Sequence, residues 1–455
     1  MRSLRAPRTS LAALCLCLLA LLPAPAAGEK QAEPFFPHAG NRGYDALGYL
    51  VRLAYKPKDG RVKAIATIEA AAGEDLPRFS LDFFGPRVER VLVDGQRARF
   101  RRGPGKLTVL PKAGIEQGAR FTTVVHYSGV PPKITDPDGT PEGWLRTDDG
   151  AIAVGEPQGT AAWLPCNNVP ADKARFSFRI IVPEGLKAIA NGTRARVTDL
   201  GRTTQFNWLE RAPMSPYLAV LDIGRGRIVK SRIGRLPSWT LVDPRMERRS
   251  RKPLAALPEI IRFQSRLFGG YPFDAAGSIV DYAPNLGYAL ETQSRPIYPF
   301  VPERTLIVHE TAHQWFGDSV GLQRWPNIWL NEGFATWTEW YYAERHGGRS
   351  AQQIFRALYR VPASKKGFWE PPTGRPGSPE HLFGTSVYVR GAMALQALRQ
   401  KIGTAPMLRV LRRWAIEHRH GSANTKQFIS LAERISGRNL DPLFRRWLYQ
   451  RGKPR

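Results

Sequence analysis

Along the chain, apolar residues first recur with a period of two and later with a period near 3.6. Tyr49-Leu50-Val51-Arg52-Leu53-Ala54-Tyr55 is largely apolar, and Phe176-Ser177-Phe178-Arg179-Ile180 alternates as a half-buried strand does. The same reading predicts strands over residues 79–84, 90–93, 106–110, 120–127, 203–209 and 217–221. Turn signals at Asp94-Gly95, Pro183-Glu184-Gly185 and Asn191-Gly192 separate them. Short strands at regular spacing predict an antiparallel β domain over residues 35–228. From residue 229 onward the spacing becomes helical, over 253–268, 303–316, 331–344, 350–359, 384–402, 405–417 and 425–436. Asp441-Pro442 opens a last short helix reaching residue 449, because proline is well placed at a helix start. Residues 229–455 are therefore expected to form a mainly α domain with a short helical tail. The Pro/Gly-rich stretch 370–380 reads as a surface loop.

The first 27 residues have a different pattern. Arg2, Arg5 and Arg8 precede an apolar run over 11–22, and Pro23-Ala24-Pro25-Ala26-Ala27 follows. That is the architecture of a cleaved secretory signal peptide. The run is short for a membrane span, so the mature chain is expected to carry no transmembrane segment. A leucine precedes both Cys15 and Cys17, which argues against a lipid anchor there. The expected location is secreted, extracellular or periplasm-like.

This segment changes the composition that matters. The whole chain has 455 residues, 67 Lys+Arg, 39 Asp+Glu and 3 Cys, for a formal charge of +28. Removing the three arginines of the leader lowers +28 to +25, and only Cys166 remains of the cysteines. One cysteine cannot pair within its own chain, so a hydrophobic core must hold the fold together. The excess of base reads either as arginine spread over a solvated surface or as weak attraction to an anionic cell surface. No module interleaves basic and aromatic residues, so no nucleic-acid partner is expected.

Candidate chemistry begins at His309-Glu310-Thr311-Ala312-His313. Residues four apart share a helix face, so the two imidazoles can hold one metal ion. Glu310 stands close enough to reach a water on that ion without being a ligand. Such a zinc site needs a third protein donor, and eighteen residues separate His313 from Glu332 in Asn331-Glu332-Gly333-Phe334-Ala335. The chain holds only eight histidines, and two of them fall four apart around a glutamate.

Together these residues resemble the gluzincin zinc aminopeptidases, the family of aminopeptidase N and leukotriene hydrolase. The resemblance implies a saddle-like antiparallel N-terminal sheet followed by a thermolysin-like, mainly α catalytic domain, an α+β multidomain fold. It implies one Zn2+ held by His309, His313 and Glu332, with Glu310 as general base. Tyr288-Ala289-Leu290-Glu291-Thr292 stands where the family has Gly-Ala-Met-Glu-Asn. Ala289 and Glu291 are thereby implied in substrate binding, with Glu291 on the free α-amine. The departures at Tyr288 and Thr292 leave the details of that subsite open. Glu156, nine residues before Pro165, matches a second amine anchor. Val387-Tyr388-Val389-Arg390-Gly391 matches the segment that carries an oxyanion-stabilising tyrosine, Tyr388. Glu339, seven after Glu332, shares its helix face and either orients a histidine ligand or faces solvent.

The implied reaction is hydrolysis of the N-terminal peptide bond of peptides with a free N-terminus. A monomer is expected. The larger relatives add a long helical C-terminal domain without a counterpart here, so a more open site admitting longer peptides is expected. Two other readings stay open: epoxide hydrolysis in the manner of leukotriene hydrolase, and non-catalytic binding of anionic cell-surface polymers. Asn191-Gly192-Thr193 is also a glycosylation sequon, meaningful only in a source that glycosylates.

Overall fold

The computed structural model describes residues 33–455. The signal peptide expected over residues 1–27 lies outside the described residues. Strands dominate the first half: β1 (Tyr44–Lys56), β2 (Arg61–Ala72), β3 (Phe79–Asp82), β4 (Arg87–Val93), β5 (Gln96–Gly103), β6 (Lys106–Leu110), β7 (Arg120–Gly129), β8 (Lys133–Thr135), β9 (Pro141–Arg146) and β10 (Ala151–Val154). They continue with β11 (Ala174–Pro183), β12 (Lys187–Ala190), β13 (Thr193–Asp199), β14 (Thr203–Met214), β15 (Leu221–Gly224), β16 (Arg227–Ile233), β17 (Leu236–Val242), β18 (Ala276–Val280) and β19 (Ile297–Tyr298).

Ten strands form one sheet in the order β13-β14-β11-β1-β2-β7-β4-β5-β6-β3. Period-two alternation sends Val51, Leu53, Ile68, Tyr127, Phe176 and Phe178 to its buried face. Tyr49 stacks on Phe176 with ring centroids 4.7 Å apart, and Trp163 stacks on Phe178 at 6.4 Å. Burying each such ring contributes about 2–3 kcal/mol. A second sheet runs β12-β15-β10-β9-β8 and a third β16-β17-β18-β19.

The helices are α1 (Glu247–Leu254), α2 (Leu257–Phe268), α3 (Arg304–His313), α4 (Trp329–Arg345), α5 (Ala351–Tyr359), α6 (Lys366–Trp369), α7 (Gly391–Ile402), α8 (Thr404–Glu417), α9 (Thr425–Ser436) and α10 (Asp441–Phe444). The fold is the expected sheet domain followed by a mainly helical one. Among the described residues, no helix is long and apolar enough to cross a membrane.

Several local expectations need correction. The sheet is not wholly antiparallel, because β1 pairs with β11 in parallel. The helix predicted over 253–268 breaks between α1 and α2. Pro253 sits in the last turn of α1 and Pro258 in the first turn of α2, and neither has an N–H to carry one helix through. The strand predicted over 217–221 is instead a 3₁₀ turn at Pro216–Leu218 followed by β15. There the Val220 N–H donates to Asn191 Oδ1 at 2.8 Å rather than to a neighbouring strand. β18 escaped the alternation test because all five of its residues are buried. The Asn191 sequon is closed in the folded chain: Asn191 is buried, and its Nδ2 donates to the Leu218 and Gln293 carbonyls at 2.9 and 2.8 Å.

Candidate active site

α3 is buried from Ile307 to His313, so the whole His-Glu-Thr-Ala-His turn lies inside the protein. His309 and His313 project from one face with ring centroids 4.8 Å apart. α4 brings Glu332 to the same point from its first turn, where a helix N-terminus favours a carboxylate. Glu332 Oε2 lies 3.3 Å from His309 Nε2 and 3.4 Å from His313 Nε2. Zinc bonds of about 2.0–2.1 Å at tetrahedral angles set donor atoms about 3.3–3.4 Å apart. Both glutamate–histidine separations therefore match a zinc site, and the three donor atoms all lie within 4.8 Å of one another.

Both rings are fixed from behind. His309 Nδ1 donates to Glu339 Oε1 at 2.5 Å, and His313 Nδ1 donates to the Phe316 carbonyl at 3.1 Å. Each of those partners accepts only, so each Nδ1 carries a proton, and a bound ion would take the place of the proton on each Nε2. Glu339 thus orients a ligand rather than facing solvent. The same geometry explains the electrostatics. Burial alone would push Glu332 up, but the imidazoles, His313 first, outweigh it and hold the carboxyl at about 2. Burial works against a charged His313, yet Glu332 and Glu291 overcome it and raise the ring to about 9. The pocket favours positive charge.

Glu310 is buried beside these donors. Burial pushes its carboxyl up to about 8; the two imidazoles pull it down, while Glu291 and Glu332 push it further up. Glu291 lies near enough that one oxygen each of Glu291 and Glu310 and a ring nitrogen of His313 fall within 4.8 Å of one another. Glu156 approaches from the β domain. One carboxylate oxygen of each of Glu156 and Glu291 is buried with no hydrogen-bond partner. Burial raises both acids, and each lies in the field of neighbouring glutamates. Ala289 is half-buried two residues before Glu291, on the same segment.

Tyr388 comes from a π-helical turn, Ser386–Arg390, leading into α7. The sequence predicts an ordinary helix there. The Tyr388 ring stacks 6.0 Å from that of His309. Burial, then Glu332 and Glu156, hold the phenol well above its ordinary range, so it keeps its proton as a donor. Two glycines permit this approach. A Cβ on Gly333 would stand 2.9 Å from Gly391 Cα and carbonyl carbon, so α4 and α7 touch backbone to backbone.

Three further residues support the site from behind. Gln314 Nε2 donates to the Glu291 carbonyl at 2.9 Å, and its Oε1 accepts from the Ser294 N–H at 2.7 Å. It ties the Glu291 segment to the residue directly after α3. Glu142 Oε2 accepts from the N–H groups of Gln158 and Gly159 at 3.0 and 2.7 Å, fixing the turn after Glu156. Arg390 is fully buried and donates to five carbonyls, among them Trp447 at 2.7 Å and Trp369 at 2.6 Å. It pins the Tyr388 turn to the end of the chain. For Gln314 and Glu142 a polar residue next to an apolar run is the only sequence signal, whereas Arg390 stands in the Val387–Gly391 match without its carbonyl partners being legible there. Cys166 is buried and unpaired, in keeping with a structural role.

Comparison with known proteins agrees with the geometry. The peptidase family M1 domain matches residues 302–447 and the peptidase M1 N-terminal domain residues 149–218. Leucyl aminopeptidase of Saccharolobus solfataricus is 24% identical over 89% of this chain and 53% of its own length. The Tricorn protease-interacting factor F2 of Thermoplasma acidophilum is 23% identical over the same shares. The chain thus spans about half the length of these curated relatives. The crystal structure of an M1 zinc metallopeptidase from Deinococcus radiodurans superimposes with a TM-score of 0.84 at 28% identity, covering 93% of this chain and 99% of that one. The chain belongs to peptidase family M1, the aminopeptidase N family of zinc metallopeptidases.

Proposed function

We propose that this protein is a zinc aminopeptidase that removes the N-terminal residue from peptides with a free α-amine. The observation that carries the reading is the pair of buried carboxylates Glu156 and Glu291, each with an oxygen that lacks a hydrogen-bond partner: Glu291 stands beside Glu310 and His313, and Glu156 lies in the field of Glu291 and Glu332. An ammonium group is the natural partner for such a pair, and its capture points the first peptide carbonyl toward Glu310 and Tyr388. One zinc ion held by His309, His313 and Glu332 would supply Lewis acidity there. The Glu310 carboxylate, buried beside these donors, can take a proton from water and return it to the leaving amine. The Tyr388 hydroxyl donates to the oxyanion that develops on the carbonyl oxygen. Among relatives, a point mutant of the Deinococcus radiodurans M1 zinc metallopeptidase has been crystallised bound to a Tyr-Ser-Ala substrate.

The test is hydrolysis of aminoacyl chromogenic substrates by the full zinc-loaded chain. A chelator should abolish the activity and zinc restore it. Glu310→Gln should bind zinc normally and lose about 10²–10⁴-fold in kcat. Full activity in Glu310→Gln, or activity that survives complete metal removal, would overturn the reading. Export is part of the proposal, motivated by the leader pattern in residues 1–27. N-terminal sequencing of the secreted protein should begin near residue 27 or 28, and a mature protein retaining Met1 would exclude it.

A further inference from the structure

The solvent face of the ten-stranded sheet carries a feature that the peptidase chemistry does not use. Strand register aligns Arg196, Asn207, Arg179, Arg52, Ile65, His126 and Arg90 in one cross-strand row over β13, β14, β11, β1, β2, β7 and β4. Six strand gaps of about 4.8 Å make this row about 29 Å long. All four arginines are exposed, and none makes an ion pair with another described residue. Arg52 and Arg179 stand directly opposite each other on adjacent strands. Like charges so placed repel, and a sheet normally separates them with an acid or a neutral residue.

No Asp or Glu stands in this row or in the solvent-facing row on either side of it. One neighbouring row reads Thr198, Gln205, Ile181, Ala54, Lys63, Ser128 and Arg87. The other runs from Leu209 through Ser177, Leu50, Thr67, Val124 and Leu92 to Arg97. The nearest acid, Glu89, sits in the bulge of β4 and is engaged by the Ser128 hydroxyl at 2.5 Å. One end of the row opens into a groove of about 400 Å³ lined by Ser177, Arg179, Arg196, Gln205 and Asn207.

The geometry points to this face as the binding site of a linear polymer that carries phosphate groups. A planar guanidinium takes a phosphate through two parallel N–H bonds, and an extended chain laid along the row meets Arg196, Arg179, Arg52 and Arg90 in turn. The three rows contain no Phe, Tyr or Trp on which a base could stack, which favours a phosphate polymer without bases over single-stranded nucleic acid. The site is independent of the peptidase centre and would survive an error in the proposed activity.

The experiment measures binding of long-chain inorganic polyphosphate to the full zinc-loaded protein as a function of salt. The double variant Arg52→Ser, Arg179→Ser is compared with Arg248→Ser, Arg249→Ser, an exposed pair on α1 with the same change in charge. The row variant should bind about tenfold more weakly at fixed salt, and its log–log salt slope should flatten by about 1.4, two contacts' worth. The α1 variant should stay within about twofold of the parent. Hydrolysis of aminoacyl substrates and the denaturation midpoint should hold in both, which shows that each variant is folded. Equal losses in the two variants would mean that net charge alone binds polyphosphate, and would overturn the proposal. Preferential binding to phosphatidylglycerol vesicles, lost in the row variant while polyphosphate binding is unchanged, would assign the face to a membrane and exclude the polymer.

Discussion

Replacing Glu339 with glutamine should weaken zinc binding more than it slows the loaded enzyme. Glu339 Oε1 lies 2.5 Å from His309 Nδ1, and its side chain is 22% exposed, so the bond is only partly screened by solvent. A hydrogen bond to a charged group contributes about 1.5–3 kcal/mol and a neutral one about 0.5–1.5 kcal/mol. Glutamine keeps an acceptor oxygen but loses the charge, so the difference is about 1–2 kcal/mol. At 1.4 kcal/mol per decade, zinc affinity should fall about 5–30-fold. Alanine removes the acceptor as well and should approach the upper end of the 10–100-fold range for such outer partners, about 100-fold. Competition against a chromophoric zinc chelator at fixed pH reads the affinity directly. kcat measured at saturating zinc should change by less than the affinity, because Glu339 acts through the His309 ring. Unchanged zinc affinity in both variants would refute the idea that Glu339 sets the His309 ring.

Three further outcomes follow from the same site. Tyr388→Phe should lower kcat by about 10²–10³-fold with KM little changed, since the hydroxyl acts on charge that forms only in the transition state; an equal loss in KM would contradict that role. Gly333→Ala places a Cβ 2.9 Å from the Gly391 backbone, which cannot rotate away. It should cost about 1–3 kcal/mol in denaturant titration and lower kcat as the Tyr388 turn is displaced, and an unchanged midpoint would contradict the close approach. Glu291→Gln and Glu156→Gln should each raise KM for substrates with a free amine while leaving zinc content at one equivalent, and loss of zinc in either would point to a structural defect instead.

The parts of this fold legible in the sequence were those set by short-range spacing. Two histidines four apart meet on any helix, and a seven-residue step puts Glu339 on the face of Glu332. What Glu339 meets there was not legible, because the answer depends on how α3 crosses α4. Strand alternation located β1, β11 and β14 but could not say that β1 and β11 run parallel. That pairing joins residues more than a hundred apart, and the arginine row exists only because of it. The roles of Gln314, Glu142 and Arg390 were not legible for a related reason: each binds backbone carbonyls or N–H groups, which every residue has. Charge misled in the other direction. A chain with a formal charge of +28 builds its candidate substrate-amine site from acids. Its basic character gathers instead in places such as the outer face of the sheet.

The central claim is that Glu156 and Glu291 select a free N-terminal amine at a zinc centre. It is tested most directly by comparing kcat/KM for an aminoacyl p-nitroanilide with that for its N-acetyl derivative, using the zinc-loaded protein and the Glu291→Gln variant. The account predicts that acetylation lowers kcat/KM by at least about 10²-fold in the parent, near 3 kcal/mol of lost anchoring, and by much less in the variant. Equal cleavage of free and acetylated substrates by the parent would contradict it.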